Sequence, residues 1–205
     1  MPAPDYTRAR RHLAKADPVM AALVRRIGPC RLARHVERDL FHVILGTIVS
    51  QQLSAKASAT IYGRVVALAG GDPPDPKAML AVPHARLRGA GLSTRKAEYV
   101  HDLAAQVASG ALSLAHVQHL PDEEAITALT AVRGIGRWSA EMVLIFRLLR
   151  PDVLPLDDVG LLNAAKRVYG LRARPTPARF TKLAEPWRPW RSVACWYLWA
   201  SLDGQ

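Results

Sequence analysis

Residues Leu129 to Phe146 read LTAVRGIGRWSAEMVLIF, and this stretch decides the fold. Apolar residues at helical spacing lead up to Arg133, Gly134-Ile135-Gly136 turns tightly, and a second helical pattern opens at Arg137. Glycine suits positions that need a positive φ or a close backbone approach, so both glycines are expected to serve the turn. Ile135 between them is placed to peg the turn into the core. The second helix begins with N–H groups that have no intrahelical acceptor, and its dipole favours an anion there. An ordinary αα-corner closed by a glycine turn would give the same pattern.

Working outward, most of the chain repeats near 3.6 residues. From Asp39 to Gln52, Leu40, Val43, Ile44, Thr47 and Ile48 form one stripe. Ser54 reads as the N-cap of a helix carrying Ile61, Val65, Val66 and Leu68, which Gly70-Gly71 stops. Asp72-Pro73-Pro74 then keeps the chain extended. Further helices are expected over Ser93–Ser109, from Pro121-Asp122, over Arg137–Leu149 and Asp157–Tyr169, near Pro177–Leu183 and over Trp190–Leu202. Nothing reads as a strand, a repeat or a linker. The expectation is an all-α chain of about ten short helices.

Bulk properties narrow the partners. The 205 residues suffice for one domain or two small lobes. With 28 Lys+Arg against 17 Asp+Glu, the net charge of +11 favours a polyanion: DNA, RNA or an acidic membrane surface. Arginine supplies most of it, and its planar fork suits phosphate. Cys30 and Cys195 are the two cysteines, which excludes a disulfide framework or a Cys-rich metal site. The stretch Met1 to Asp17 is basic without the apolar run of a signal peptide, and no apolar run approaches the roughly 20 residues of a membrane span. A cytoplasmic, nucleoid-associated protein is the expectation.

Three further blocks could carry chemistry. Leu154 to Gly170, LPLDDVGLLNAAKRVYG, sets Asp157 and Asp158 before an amphipathic helix of Leu161, Leu162, Ala165 and Val168; on spacing alone either carboxylate is a helix cap. Ile48 to Ser54, IVSQQLS, is a helix end with two amides, an exposed Leu53 and a capping serine; packing is the ordinary fate of such a leucine. Glu185 to Asp203 crowds Trp187, Trp190, Trp196 and Trp199 into one segment, ordinarily core residues. His116 and His119 lack a third ligand and read as solvated surface, and His42 and Lys56 read as ordinary helix residues, with Lys56 a candidate phosphate contact.

Taken in order, these blocks resemble the HhH-GPD superfamily of helix-hairpin-helix DNA glycosylases, and Trp-Arg-Pro-Trp-Arg-Ser is similar to a segment of the AlkA-type 3-methyladenine DNA glycosylase II subfamily. The resemblance covers about Asp17 to Leu202. It implies the helix-hairpin-helix glycosylase fold, two lobes with a cleft between them: lobe A about 1–38 plus 153–205, lobe B about 39–152 with the hairpin unit at 122–149. It implies hydrolysis of the N-glycosidic bond of alkylated bases in double-stranded DNA, with Asp158 catalytic and Asp157 left as the cap or a helix-terminus charge. By the same resemblance Trp138, Trp199, Met142 and Val159 line the base pocket. Leu53 wedges into the gap left by the flipped nucleotide with Gln52 beside it, and Gly134, Gly136, Arg137 and Ser139 meet the phosphates. A sodium or potassium ion on the carbonyls of Thr130, Val132 and Gly134 is a feature of relatives.

No other cofactor is implied; two cysteines cannot supply the four ligands of an iron–sulfur cluster. A monomer without obligate protein partner or membrane is expected. Departures from the family pattern touch the substrate range: Met142, Val159 and Ala200 replace tyrosines around the pocket of a subfamily member. Trp138 stands where bifunctional members carry a catalytic lysine, which argues against a lyase step. Two rivals remain: a non-catalytic helix-hairpin-helix DNA-binding module, which needs neither Asp158 nor a tryptophan-lined pocket, and a glycosylase of the same fold for oxidised or mismatched bases.

Overall fold

Acidic and hydroxyl side chains open most of the helices. Asp5, Asp17, Asp39, Ser54, Asp75, Ser93, Ser113, Asp158 and Thr176 each accept a main-chain N–H two or three residues on. The computed structural model describes residues 5–33, 39–72 and 74–202; Pro73 and Asp203, used in the sequence reading, lie outside them. Among the described residues there are thirteen α-helices, one 3-10 turn (Glu185–Trp187) and no strand. The helices are α1 (Tyr6–Ala16), α2 (Pro18–Ile27), α3 (Leu40–Ser50), α4 (Ala55–Leu68), α5 (Pro76–Ala81), α6 (His84–Gly89), α7 (Thr94–Ala108), α8 (Leu114–Val117), α9 (Asp122–Thr130), α10 (Arg137–Phe146), α11 (Val159–Val168), α12 (Pro177–Ala184) and α13 (Arg191–Ala200). None is long and apolar enough to cross a membrane.

The chain divides into two compact units, Met1–Val36 with Leu144–Gln205, and Glu37–Val143. In the first, α2 and α11 pack on α13, and α1 packs on α2 and on the 3-10 turn. Its core holds Leu13, Met20, Leu161, Phe180, Trp187 and Tyr197, all fully buried. Asp17 is buried inside this core and fully occupied. It caps α2 through Val19 and Met20 N–H, and its Oδ2 accepts from Tyr169 Oη at 2.6 Å and Trp187 Nε1 at 3.0 Å. In the second unit, α3 lies on α4 and α7, α5 and α6 pack on α7, and α8 on α9. Ile44, Ile48, Met79, Leu87, Leu103 and Leu129 are buried there.

Several helix limits differ from the sequence reading, each for a local reason. The helix opening at Arg137 stops at Phe146 rather than Leu149. Leu149 takes a left-handed φ of 53°, and Arg150 N–H reaches back to Leu144 O at 2.9 Å, closing the last turn before Pro151. Helices α5, α6 and α8 have four to six residues, too few for a 3.6-residue period to show. His42 lies within α3, as expected, but on its buried side. It is buried, its Nδ1 lies 2.8 Å from Asp72 Oδ1, and its ring sits 5.0 Å from that of Tyr62.

Candidate active site

The first unit carries the carboxylate. The chain leaves α10, crosses residues 147–158 without regular helix, and enters α11 at Val159. Asp158, not Asp157, is the N-cap: its Oδ1 accepts Leu161 N–H at 2.5 Å. Of the two expectations for Asp157, cap or helix-terminus charge, the first is thereby corrected, and Asp157 is exposed. The local chain geometry decides it, because Asp158 is the last extended residue before the helical run. Asp158 is 8% exposed, and the same Oδ1 accepts the indole N–H of Trp199 at 3.1 Å. Phe146 stacks on Trp199 with ring centroids 5.4 Å apart, and Val159 beside Asp158 is exposed. A Cβ added at Gly160 would come within 3.3 Å of Asp158 Oδ1, so glycine leaves room beside the carboxylate.

The loop that delivers Asp158 is fastened to α13 along two turns of that helix. Asp152 accepts Arg191 Nε at 2.8 Å and Arg188 Nη1 at 2.8 Å, Val153 N–H donates to Ser192 Oγ at 2.9 Å, and Ser192 N–H donates to Pro151 O at 3.0 Å. The Trp-Arg-Pro-Trp-Arg-Ser segment thus holds the base of the loop, while Trp199 holds its tip. The sequence reading missed Asp152, Arg188, Arg191, Ser192 and Phe146. Trp187 is fully buried as expected of a core residue, with Trp190 and Trp196 half-buried. Ala200 does not accompany Trp199; it lines a hollow of about 780 Å³ with Val19, Leu23, Arg26, Arg167 and Val168.

The second unit carries the hairpin and the Gln-Gln-Leu turn. Gly134 has φ +85°, and a Cβ there would overlap the Tyr99 ring, so this glycine is required twice over. Gly136 is otherwise: its φ is not left-handed and an added Cβ meets no protein atom, so a positive φ is the reason for glycine at 134 and not at 136. Its carbonyl accepts Ala140 N–H at 3.0 Å, and Ile135 is buried beneath the turn. The guanidinium of Arg137, a residue expected at the DNA, is held by Glu123 at 2.6 and 2.9 Å and by Glu141 at 3.0 Å. It ties α9 to α10; hydrogen bonding to Arg137 holds the Glu123 carboxyl below its usual range. Ser139 is buried, whereas Trp138 is 46% exposed and Met142 half-buried. Helical spacing of four sets Trp138, Met142 and Phe146 along one line of α10.

At the end of α3, Gln52 takes φ +58°, a left-handed conformation that side-chain-bearing residues disfavour, and Leu53 beside it is 38% exposed. Leu53 N–H donates to Ser50 O at 3.1 Å, so a tight turn displays both side chains outward. Lys96 Nζ donates to Val49 O at 2.8 Å and Gln51 O at 2.6 Å, and burial pushes its ammonium below the usual range. Gln51 Nε2 donates to Gly134 O at 2.8 Å. Lys56, His116 and His119 are exposed, and no group of metal-ligating side chains occurs among the described residues.

A family model described as HhH-GPD superfamily base excision DNA repair protein matches residues 45–189, which takes in the hairpin, the turn and Asp158. The chain belongs to the HhH-GPD superfamily. This HhH-GPD protein is 33% identical over 198 residues to the alkylbase DNA glycosidase-like protein mag2 of Schizosaccharomyces pombe, covering 95% of this chain and 93% of that one. It is 34% identical over 198 residues to DNA-3-methyladenine glycosylase 1 of the same yeast, covering 95% and 87%. Among solved structures, the fission-yeast 3-methyladenine DNA glycosylase Mag1 in complex with abasic DNA superposes with a TM-score of 0.83 at 31% identity, covering 96% of this chain and 97% of that one. The DNA-3-methyladenine glycosidase of Bacillus halodurans gives 0.87 at 35% identity, covering 96% and 89%.

Proposed function

We propose that this HhH-GPD protein is a monofunctional DNA glycosylase that hydrolyses the N-glycosidic bond of alkylated purines, of the 3-methyladenine and 7-methylguanine kind, in double-stranded DNA. The observation that carries the proposal is the Asp158 carboxylate, buried at the start of α11 and held by Leu161 N–H and the Trp199 indole beside Phe146. A structural cap needs neither the second donor nor the neighbouring aromatic pair. The similarity to enzymes named for 3-methyladenine supports the substrate class.

Cleavage of the bond builds positive charge on the deoxyribose. An alkylated purine is already cationic and leaves neutral, so acid help is small and one carboxylate suffices to stabilise the sugar and orient water. O-glycosidases ordinarily need a carboxyl pair. An aromatic face attracts a cationic base by about 0.5–2 kcal/mol over a neutral one, a role for Trp199 and Phe146, with Val159 as a further pocket residue. Leu53 is the wedge and Gln52 its neighbour in the groove. Gly136 and the first-turn amides of α10 receive phosphate; buried Ser139 contributes only its main chain, and Arg137 braces the hairpin. The carbonyls of Val132 and Gly134 accept Ile135 N–H and Gln51 Nε2, and each keeps a lone pair that, with Thr130, suits a monovalent cation.

Duplex DNA treated with a methylating agent, duplex carrying 8-oxoguanine and duplex carrying a mismatch separate the readings in one chromatographic assay. Release of free 3-methyladenine and 7-methylguanine without strand scission is expected. Scission at the lesion, or release from the other duplexes alone, would replace this reading with a rival.

A further inference from the structure

We infer that one face of α7 is a gauge that sets the Gln52–Leu53 turn in register with the phosphate-gripping hairpin, with Lys96 and Asp102 as its positioning residues. This rests on the reading of Leu53 as the wedge. Lys96, Tyr99, Asp102 and Gln106 follow one another at spacings of three, three and four, which puts them on one side of the helix. Lys96 grips the end of α3 through Val49 O and Gln51 O, satisfying carbonyls that the helix leaves open and placing a cation at its negative end. One turn on, the Tyr99 ring fills the space beneath Gly134. A further turn on, Asp102 accepts Arg133 N–H at 2.8 Å and Arg133 Nε at 3.1 Å, and Gln106 Nε2 reaches Asp102 Oδ2 at 2.8 Å and Ala131 O at 3.3 Å.

The four side chains therefore touch the wedge turn at one end and the hairpin at the other. Gln51 closes the circuit through its bond to Gly134 O. Lys96, Asp102 and Gln106 are taken up by main-chain groups, by Arg133 and by one another, so the arrangement is one of position and not of chemistry. It fixes the separation between an apolar group that must enter the base stack and the amides that must hold the adjoining phosphates. The left-handed Gln52 makes such bracing necessary, because an unbraced turn would relax away from that conformation. A wedge misplaced by about 1 Å is enough to cost on the order of a hundredfold in rate.

The test compares two substrates by single-turnover release of 7-methylguanine: the lesion in a fully paired duplex, and the same lesion in a bulge, where the base is already unstacked. Lys96→Met is expected to slow the paired substrate at least about tenfold while the bulged one changes by under about threefold, with Lys96→Arg restoring most of the loss. Asp102→Ala, measured alongside, is expected to show the same bias and carries the test if Lys96→Met does not fold. An equal fall on both substrates, or no fall on either, overturns the proposal. Leu53→Ala separates the two levels of the argument. If it leaves the paired substrate unaffected, the wedge reading itself fails; if it slows that substrate while Lys96→Met and Asp102→Ala do not, only the α7 gauge fails.

Discussion

The two hairpin glycines look equivalent in sequence and should respond to alanine in opposite ways. At Gly134 the φ of +85° imposes about 1–2 kcal/mol on any residue with a Cβ. The added methyl would also run into the Tyr99 ring, and overpacking of that kind costs about 1–3 kcal/mol. Gly134→Ala should therefore destabilise by about 2–5 kcal/mol, which for a chain of this size lowers the melting temperature by roughly 5–15 °C. At Gly136 the φ is ordinary and the Cβ meets nothing. A small cost of alanine at an N-cap opposes the entropic gain of replacing glycine, so Gly136→Ala should stay within about 1 kcal/mol of the parent. Its penalty belongs to the complex: a methyl where a phosphate approaches should weaken duplex binding about tenfold, read by fluorescence anisotropy at fixed salt. Thermal melting and anisotropy on both variants decide the matter. Unchanged duplex affinity in Gly136→Ala, or parental melting of Gly134→Ala, would refute the reasoning.

Other consequences follow from the same contacts. Asp17→Ala removes a cap and strands the Tyr169 hydroxyl and Trp187 indole in the core, so it should cost about 3–5 kcal/mol in chemical denaturation, with an effect under about 1 kcal/mol disproving the role given to Asp17. The Arg137–Glu123 pair is largely exposed, so its stabilisation is at most about 1 kcal/mol. Because the folded Glu123 pKa is lowered, that contribution is complete above the unfolded carboxyl value and disappears as pH falls through the folded one. Acid titration of Arg137→Met should accordingly show a shallower loss of stability below about pH 4.5, and a slope equal to the parent's would contradict it.

The parts of this molecule that could be read from sequence are those whose meaning is local. A glycine turn between two apolar periodicities, an aspartate pair before an amphipathic run and a tryptophan-rich end each occupy fewer than twenty residues, and all three fall where the reading placed them. What escaped notice depends on contacts across the chain. Lys96 meets carbonyls 45 and 47 residues away, and Arg191 meets Asp152 39 residues away. No spacing rule marks a lysine near a helix start as the clamp on another helix's end. The choice of Asp158 over Asp157 as cap lay beyond composition too, since two identical side chains are told apart only by which one is the last extended residue. Gly134 and Gly136 were likewise indistinguishable until the Tyr99 ring was seen beneath one of them.

Asp158→Asn is the most direct test of the central claim. Asparagine keeps an oxygen for Leu161 N–H and the Trp199 indole, so fold and cap should survive with a loss under about 1 kcal/mol. What disappears is the negative charge, worth about 4 kcal/mol against a sugar cation 4 Å away at an effective dielectric of 20. Single-turnover release of 7-methylguanine should fall by about a thousandfold with affinity for abasic duplex retained; a variant that melts like the parent and still excises within about tenfold of its rate would contradict the account.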